Sequence, residues 1–272
     1  MTDITDDEFE RIRGFIKQKL GISLSKEKKS LIHSRLASTI HEKGFDDFTQ
    51  YFDFLLRDTA GEELIHFVDK VTTNHTYFMR ETDHFDYLRD TVLPFVYENF
   101  SKDKDLRIWC AGCSSGEESY TLEMLILDFF TDKPNKWDTE ILATDISTTV
   151  LNKAIRGVYP KESLQNLPKH WIHQYFIEYD SEHQQVHEKV KKLITYRKFN
   201  LMEEKFPFKK PFQIIFCRNV MIYFDSATRE QLVSKFYNAT VKGGFLFIGH
   251  SESLNISKTK YKYIKPAVYR KD

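Results

Sequence analysis

The chain has 272 residues, 41% of them hydrophobic and 29% charged, with only 10 Gly and 7 Pro, which excludes a disordered or collagen-like polymer and leaves enough apolar matter for a core. Forty basic residues balance forty acidic ones, so the global positive field of a nonspecific nucleic-acid binder is excluded, no nucleic-acid partner is expected, and any polyanion site must be local. No apolar run approaches the roughly 20 residues of a membrane span, and the acidic stretch from Met1 to Glu10 is unlike a secretory signal; no membrane insertion is expected, and the expected compartment is the cytoplasm.

The chain opens on a capping box, Thr5 with Glu8, followed by apolar positions Phe9, Ile12, Ile16 and Leu20 at the helical period and by Gly21, a residue suited to stopping a helix. A second helix is expected from a Ser25 cap through Leu31, Ile32, Leu36 and Ile40 to Gly44. A third buries Phe48, Tyr51, Phe52, Leu55 and Leu56, and a fourth buries Leu64, Phe67, Val68 and Val71. Residues 1–71 therefore read as a small all-helical domain, and 72–81 as the linker that joins it to the next. Between Arg11 and Arg35 stand eight Lys or Arg against the single acid Glu27, either a solvated helical surface or a docking face for an acidic partner.

From residue 105 strands alternate with helices: Leu106 to Cys110, Ile141 to Thr144, Phe212 to Cys217, Gly244 to Gly249 and Ala267 to Arg270 are the expected strands. Helices are expected after the first of these, with Tyr120, Met124, Leu127 and Phe130, after a Ser147 cap, and over Ala227 to Thr240. This alternation implies a doubly wound, mostly parallel sheet over residues 82–272. The stretch 171–199 interrupts it with short apolar pieces, Tyr175 to Ile177 and Leu193 to Tyr196, around a polar tract, and reads as a small antiparallel insert.

The chemistry concentrates where the first strand meets its helix, Ile108 to Glu118. A glycine-containing turn at a helix N-terminus lets backbone N–H groups approach a ligand at the carboxyl ends of parallel strands. The dinucleotide fingerprint is absent, and Glu117 and Glu118 would repel a pyrophosphate. Asp145, ending the second strand, can accept both hydroxyls of a ribose or simply cap the next helix. A cationic ribose ligand without phosphate describes S-adenosylmethionine better than a nicotinamide dinucleotide. Cys110 and Cys113 form a CxxC, open to a redox reading or to packing, with the nearby carboxylates opposing an activated thiol. Cys217 lies far off in sequence, His183 and His187 sit in a polar tract, and no metal site is expected.

Five motifs in order add a resemblance. Thr72 to Glu81 (TTNHTYFMRE), Trp109 to Tyr120 (WCAGCSSGEESY), Asn200 with Leu201, Phe216 to Asp225 (FCRNVMIYFD) and Gly249 to Ser253 (GHSES) resemble the CheR family of chemotaxis receptor glutamate methyltransferases, over essentially the whole chain. Met79 stands where the family has a second Phe, and Ser119 where it has Pro. The resemblance implies a Rossmann-like methyltransferase fold and S-adenosylmethionine as cofactor, contacted by Asn74, Thr76, Arg80, Glu117, Asp145, Asn200, Leu201, Arg218 and Asn219. Arg80 would then fork the methionine carboxylate and Glu117 would take the ammonium group. Tyr223 resembles the family tyrosine near the transferred methyl, with packing at the sheet edge as its bland alternative.

The implied reaction converts receptor glutamates to methyl esters; the alternative is an S-adenosylmethionine-binding sensor without transfer. The implied partner is the cytoplasmic methylation region of chemoreceptors, with the basic face as helper and a monomer as the expected state. The insert is short and lacks glycine, which argues against capture of a receptor C-terminal tail peptide.

Overall fold

The computed structural model describes residues 4–71, 75–102, 104–134 and 136–272, and within it the chain forms two compact units. The first comprises residues 1–75 together with Tyr223–Arg229. Its helices are α1 (Asp6–Leu20), α2 (Lys29–Glu42), α3 (Phe48–Arg57) and α4 (Glu62–Val71). The Thr5–Glu8 capping box is formed in both directions, with Glu8 N–H donating to Thr5 Oγ1 at 3.2 Å and Thr5 N–H to Glu8 Oε2 at 2.7 Å. Gly21 ends α1 at φ 71°, and its N–H returns to the Lys17 carbonyl. Phe9, Ile12, Ile16 and Leu20 are all buried.

Replacing Thr5 with alanine removes the side-chain half of that cap and should lower unfolding free energy by about 1 kcal/mol. Urea denaturation of the two proteins measures it, and equal midpoints would show that the cap is not used.

Two local expectations change. Ser25 makes no side-chain cap bond: a 3-10 turn over Lys26–Lys28 precedes α2 and takes up that end. Leu56 is half-buried rather than core, and the side chain of Val71 lies outside the described residues. Several of the eight basic residues between Arg11 and Arg35 are ion-paired, among them Arg11 with Asp53, Arg13 with Glu10, Lys17 with Asp225 and Lys29 with Asp6. The field of that face is correspondingly weaker than the residue count suggests.

The second unit comprises Thr76–Ile222 and Glu230–Asp272. In chain order it holds α5 (Thr82–Tyr87), a π-helical turn, α6 (Leu93–Asn99), β1 (Ile108–Ala111), α7 (Glu117–Phe130), β2 (Ile141–Asp145), α8 (Thr148–Arg156) and β3 (Val158–Pro160). There follow α9 (Lys169–Tyr175), β4 (Phe176–Glu178), β5 (His183–Val186), α10 (Glu188–Lys191), β6 (Ile194–Lys198), β7 (Phe212–Cys217), α11 (Ser226–Ala239), β8 (Thr240–Ile248), β9 (Lys262–Lys265) and β10 (Val268–Arg270). The main sheet has the order β6-β2-β1-β7-β8-β10-β9. Its first five strands are parallel, and β10 and β9 add an antiparallel edge. Every residue of β1 and β7 is buried, as strands covered on both faces must be. This is the doubly wound, mostly parallel arrangement that the alternation of elements implies.

The insert is bounded differently from the expected 171–199. Its antiparallel sheet, β3-β5-β4, begins at Val158. The apolar piece Leu193 to Tyr196 does not belong to it, because Ile194–Lys198 pairs in parallel with β2 at the edge of the main sheet. An edge strand is covered on fewer sides, so its buried positions alternate and it lacks the continuous apolar run of a central strand.

Candidate functional site

Parallel pairing sends the carboxyl ends of β6, β2, β1, β7 and β8 to one rim of the sheet. The order reverses at β1, with β2 on one side and β7 on the other, which is the switch point where open α/β sheets bind ligands. Four of the five motifs therefore converge on one rim, the loop after Ala111, Asn200–Leu201 after β6, Arg218–Asn219 after β7 and Gly249–Ser253 after β8, and Asp145 joins them at the end of β2.

The loop after β1 turns sharply. Gly112 lies at φ 90°, and a side chain there would collide with Val220 Cγ2 at 2.4 Å; Gly116 lies at φ 100° against the Ala154 Cβ at 2.8 Å. The N–H groups of Gly112 and Cys113 both donate to the Thr144 carbonyl, which ties the loop to the end of β2. Asp145 continues the tie, its Oδ2 accepting from Ser114 N–H at 2.9 Å and its Oδ1 from Ser147 N–H at 3.0 Å. Ser147 also caps α8 through Val150 N–H. The cap of α8 is thus Ser147 and not Asp145, whose carboxylate orients the loop.

Glu117 opens α7 and receives Ser115 Oγ on both oxygens, at 3.0 and 2.8 Å. Burial pushes its carboxyl above the ordinary range, against the pull of its own backbone N–H, Ser115 and Lys153. It makes no ion pair among the described residues. A half-buried carboxylate in that position suits a cationic ligand.

Arg218 is almost wholly enclosed, with 1% of its side chain exposed. It donates to Glu118 Oε2 at 2.7 Å, to Glu81 Oε2 at 2.9 Å and to the Arg80 carbonyl, over the ring of Phe85. Asn219, at φ 58°, adds a bond from its side chain to Glu81 Oε1 at 3.2 Å. The segment after residue 75 is in this way fastened to β7 and α7, with Met79 and Glu81 also at positive φ. Such conformations persist where surrounding contacts over-determine them. Burial tends to raise Glu81, but Arg218 and the bonds from Asn219 and His250 hold its carboxyl below the usual range. Fully buried His84 falls to about 4, first from burial and then from Arg218, so it is neutral at pH 7.

Glu81, His84 and His250 bring three ligand-type atoms within 4.8 Å of one another. Glu81 Oε2 already accepts from Arg218 and from His250 N–H, and a dication there would face the guanidinium, so the group does not make a metal centre. Burial drives the thiols of Cys110 and Cys113 well above their ordinary value, reinforced by Glu118 at Cys110 and by Asp145 at Cys113. Inert, packed thiols result, and the redox reading of the CxxC fails.

Of the remaining expected residues, Thr76 and Arg80 are half-buried, Arg80 lying 6.0 Å over the Tyr77 ring. Asn200 Oδ1 accepts from Met202 N–H, and the carbonyl of buried Leu201 accepts from Lys235 Nζ at 2.6 Å. Asn74 lies outside the described residues. Tyr223 belongs to the first unit, where its carbonyl accepts from Ser23 N–H at 2.7 Å and Lys28 Nζ sits 5.7 Å from its ring centroid. Glu81 and Glu252 carry no role in the sequence reading, although each is the acid of a quoted motif, TTNHTYFMRE and GHSES, and Glu118 enters it only as a charge opposed to a pyrophosphate. The signal was there, since charged residues amid small and apolar ones become buried only when paired.

Two family models match: "CheR methyltransferase, all-alpha domain" over residues 7–72 and "CheR methyltransferase, SAM binding domain" over residues 74–269. The chain is 46% identical to a chemotaxis protein methyltransferase of Borreliella burgdorferi, covering 99% of this chain and 96% of that one. It is 36% identical to a probable chemotaxis protein methyltransferase of Rhizobium etli, over 92% and 97% of the two chains. It is 32% identical to the chemotaxis protein methyltransferase of Escherichia coli, over 98% and 91%.

Proposed function

The chain belongs to the CheR methyltransferase family, and from that premise we propose that it transfers methyl groups to glutamate side chains in the methylation region of chemoreceptors, forming glutamyl methyl esters. It is an S-adenosylmethionine-dependent methyltransferase. The observation that carries the site assignment is the glycine loop at the switch point, bounded by Asp145 on one side and by the half-buried Glu117 on the other. That donor set fits a ribose and an ammonium group and repels a pyrophosphate.

In this reading Asp145 holds the ribose hydroxyls, Glu117 the ammonium and Arg80 the carboxylate of the cofactor. Thr76, Asn200, Leu201, Arg218 and Asn219 complete the wall, and Asn74, outside the described residues, is assigned a cofactor contact by the family resemblance alone. Arg218 has both terminal nitrogens of its guanidinium committed to Glu81 and Glu118, so its part is to shape the wall, with contacts to ligand left to its main chain. Bound S-adenosylmethionine supplies a methyl group on a sulfonium. A glutamate with an ordinary pKa near 4.3 is ionised at pH 7, so the protein need provide no general base for the acceptor. Its own residues have to align the two carboxylate-bearing partners and exclude water. Tyr223 is assigned to orienting the acceptor, and the basic face of α1 and α2 to attracting the acidic receptor helices. Exposed Ile177 on the small sheet and Tyr179 just after β4 make no case for tail capture by themselves.

The test is transfer of labelled methyl from S-adenosylmethionine to base-labile ester on receptor-containing membranes. Cofactor binding without such ester would convert the protein into a sensor and overturn the proposal. Tyr223→Phe should slow transfer by roughly ten-fold or more, the scale of one positioned hydroxyl, with cofactor affinity unchanged. A large loss of cofactor binding in that variant would remove Tyr223 from the acceptor side.

A further inference from the structure

Glu252 is a carboxylate with 6% exposure in the turn after β8, and it forms no ion pair among the described residues. What it holds is main chain. Its Oε2 accepts from Gly249 N–H at 2.6 Å and from Asn219 N–H at 3.0 Å; its Oε1 accepts from Ile222 N–H at 3.1 Å, and Met221 N–H also acts on it. Asn219 stands in the left-handed region, and Gly249 leaves no space for a Cβ, whose nearest neighbour would be Asn219 Nδ2 at 2.5 Å. The strand-to-turn segment Asn219–Ile222 is therefore folded around one buried side chain contributed from about thirty residues downstream. Its upstream neighbour, Arg218, is anchored separately by Glu81 and Glu118. Its downstream neighbour is Tyr223.

We infer that Glu252 is a positioning residue for methyl transfer: by holding the N–H groups of Asn219 and Ile222 it fixes the backbone from which Tyr223 extends. This rests on the acceptor role given to Tyr223 above. The two ends of the segment have different supports. Arg218 remains clamped when Glu252 is altered, whereas Ile222 N–H has no other side-chain acceptor among the described residues, so the disturbance should fall on the acceptor side and spare the cofactor side.

The chemistry of the acceptor atoms predicts a specific pattern. In Glu252→Gln one end becomes an NH2 donor. The less costly orientation keeps the oxygen toward Gly249 and Asn219, where two donors converge, and turns the NH2 toward Ile222, whose N–H is then unpaired. Glu252→Asp keeps the charge but shortens the side chain by one carbon–carbon bond of about 1.5 Å, so it too cannot span both ends. Positioning thus predicts that both variants release Ile222, while a purely electrostatic role predicts that only the Gln variant fails.

The experiment combines hydrogen exchange on the full chain with kinetics on receptor membranes. Exchange at Ile222 should accelerate in both variants, with the amides of α7 and β7 unchanged. Turnover should fall by about ten-fold to a hundred-fold, the range expected when an aligned group shifts by up to an ångström, while calorimetric affinity for S-adenosylhomocysteine stays within about three-fold. Unchanged exchange at Ile222 overturns the inference whether or not the wild-type protein makes ester, so the exchange result stands apart from the function proposed above. Unimpaired turnover with accelerated exchange also overturns it, as does a fall in cofactor affinity that matches the fall in turnover. Should the Gln variant fail to fold, the Asp variant carries the same readouts.

Discussion

Arg218→Ala is expected to cost about 3–5 kcal/mol of folding stability, the range measured when one partner of a buried ion pair is removed. Three groups lose their donor together: Glu81, Glu118 and the Arg80 carbonyl. The carboxylates are 14% and 15% exposed, too little for water to replace the guanidinium fully. Lysine should rescue little, because one ammonium cannot reproduce a planar fork that serves carboxylates on two elements. Urea unfolding reads the effect directly, and a loss below about 1 kcal/mol would place the pair in the class of solvent-screened surface bridges.

The acid dependence has a definite sign. Glu81 has a folded pKa below its unfolded value, so its contribution is present above the ordinary carboxylate range and lost as pH falls through the lowered value. His84 adds in the same direction: its pKa of about 4, against an ordinary 6.5, means that protonation favours the unfolded chain as pH drops below neutrality. The variant should lose the Glu81 part of this dependence. A wild-type stability flat between pH 7 and pH 4 would contradict the His84 assignment, and one that falls no further below pH 4 would contradict that of Glu81.

Asp145→Ala is expected to weaken S-adenosylhomocysteine binding by about a hundred-fold or more. Two hydrogen bonds to a charged acceptor are each worth roughly 1.5–3 kcal/mol, and both are lost. The loop also loses the acceptor that fixes Ser114 N–H and Ser147 N–H. Asn should fall between, since its single carbonyl oxygen keeps one acceptor position and presents an NH2 to the other. Calorimetric titration decides it. Near wild-type affinity in the alanine variant would remove Asp145 from the ribose site and leave it a loop-orienting residue alone. Because Asp145 is only partly buried, the melting temperature should move little, and a collapse of stability would point to the fold instead of the site.

Local chemistry made much of this legible. Thr5, Glu8 and Gly21 bracket α1 because a capping box and a left-handed stop are satisfied within a few residues of chain. Phe212–Cys217 reads as a central strand because only a strand buried on both faces tolerates so continuous an apolar run. Gly112, Gly116 and Asp145 could be placed at a ligand rim because strand ends and tight turns advertise themselves by residue type, and the five ordered motifs named the family. Edge strand β6 was misassigned for the converse reason, since its alternating burial imitates a strand of the antiparallel insert.

What sequence alone determined was therefore the alternation of elements, the rim residues and the cofactor class, each written in spacings of a few residues. Tertiary structure decided the partners of the buried charges and the company that segments keep. Arg218 meets Glu118 and Glu81 across 100 and 137 residues, Glu252 reaches back 30 residues or more to Ile222 and Asn219, and Tyr223–Arg229 joins the helical unit from the far side of the chain. Chain spacing carries no record of such pairs, because a charge can be buried only beside a group that neutralises or hydrogen-bonds it, and which group arrives there is settled when the sheet closes its order.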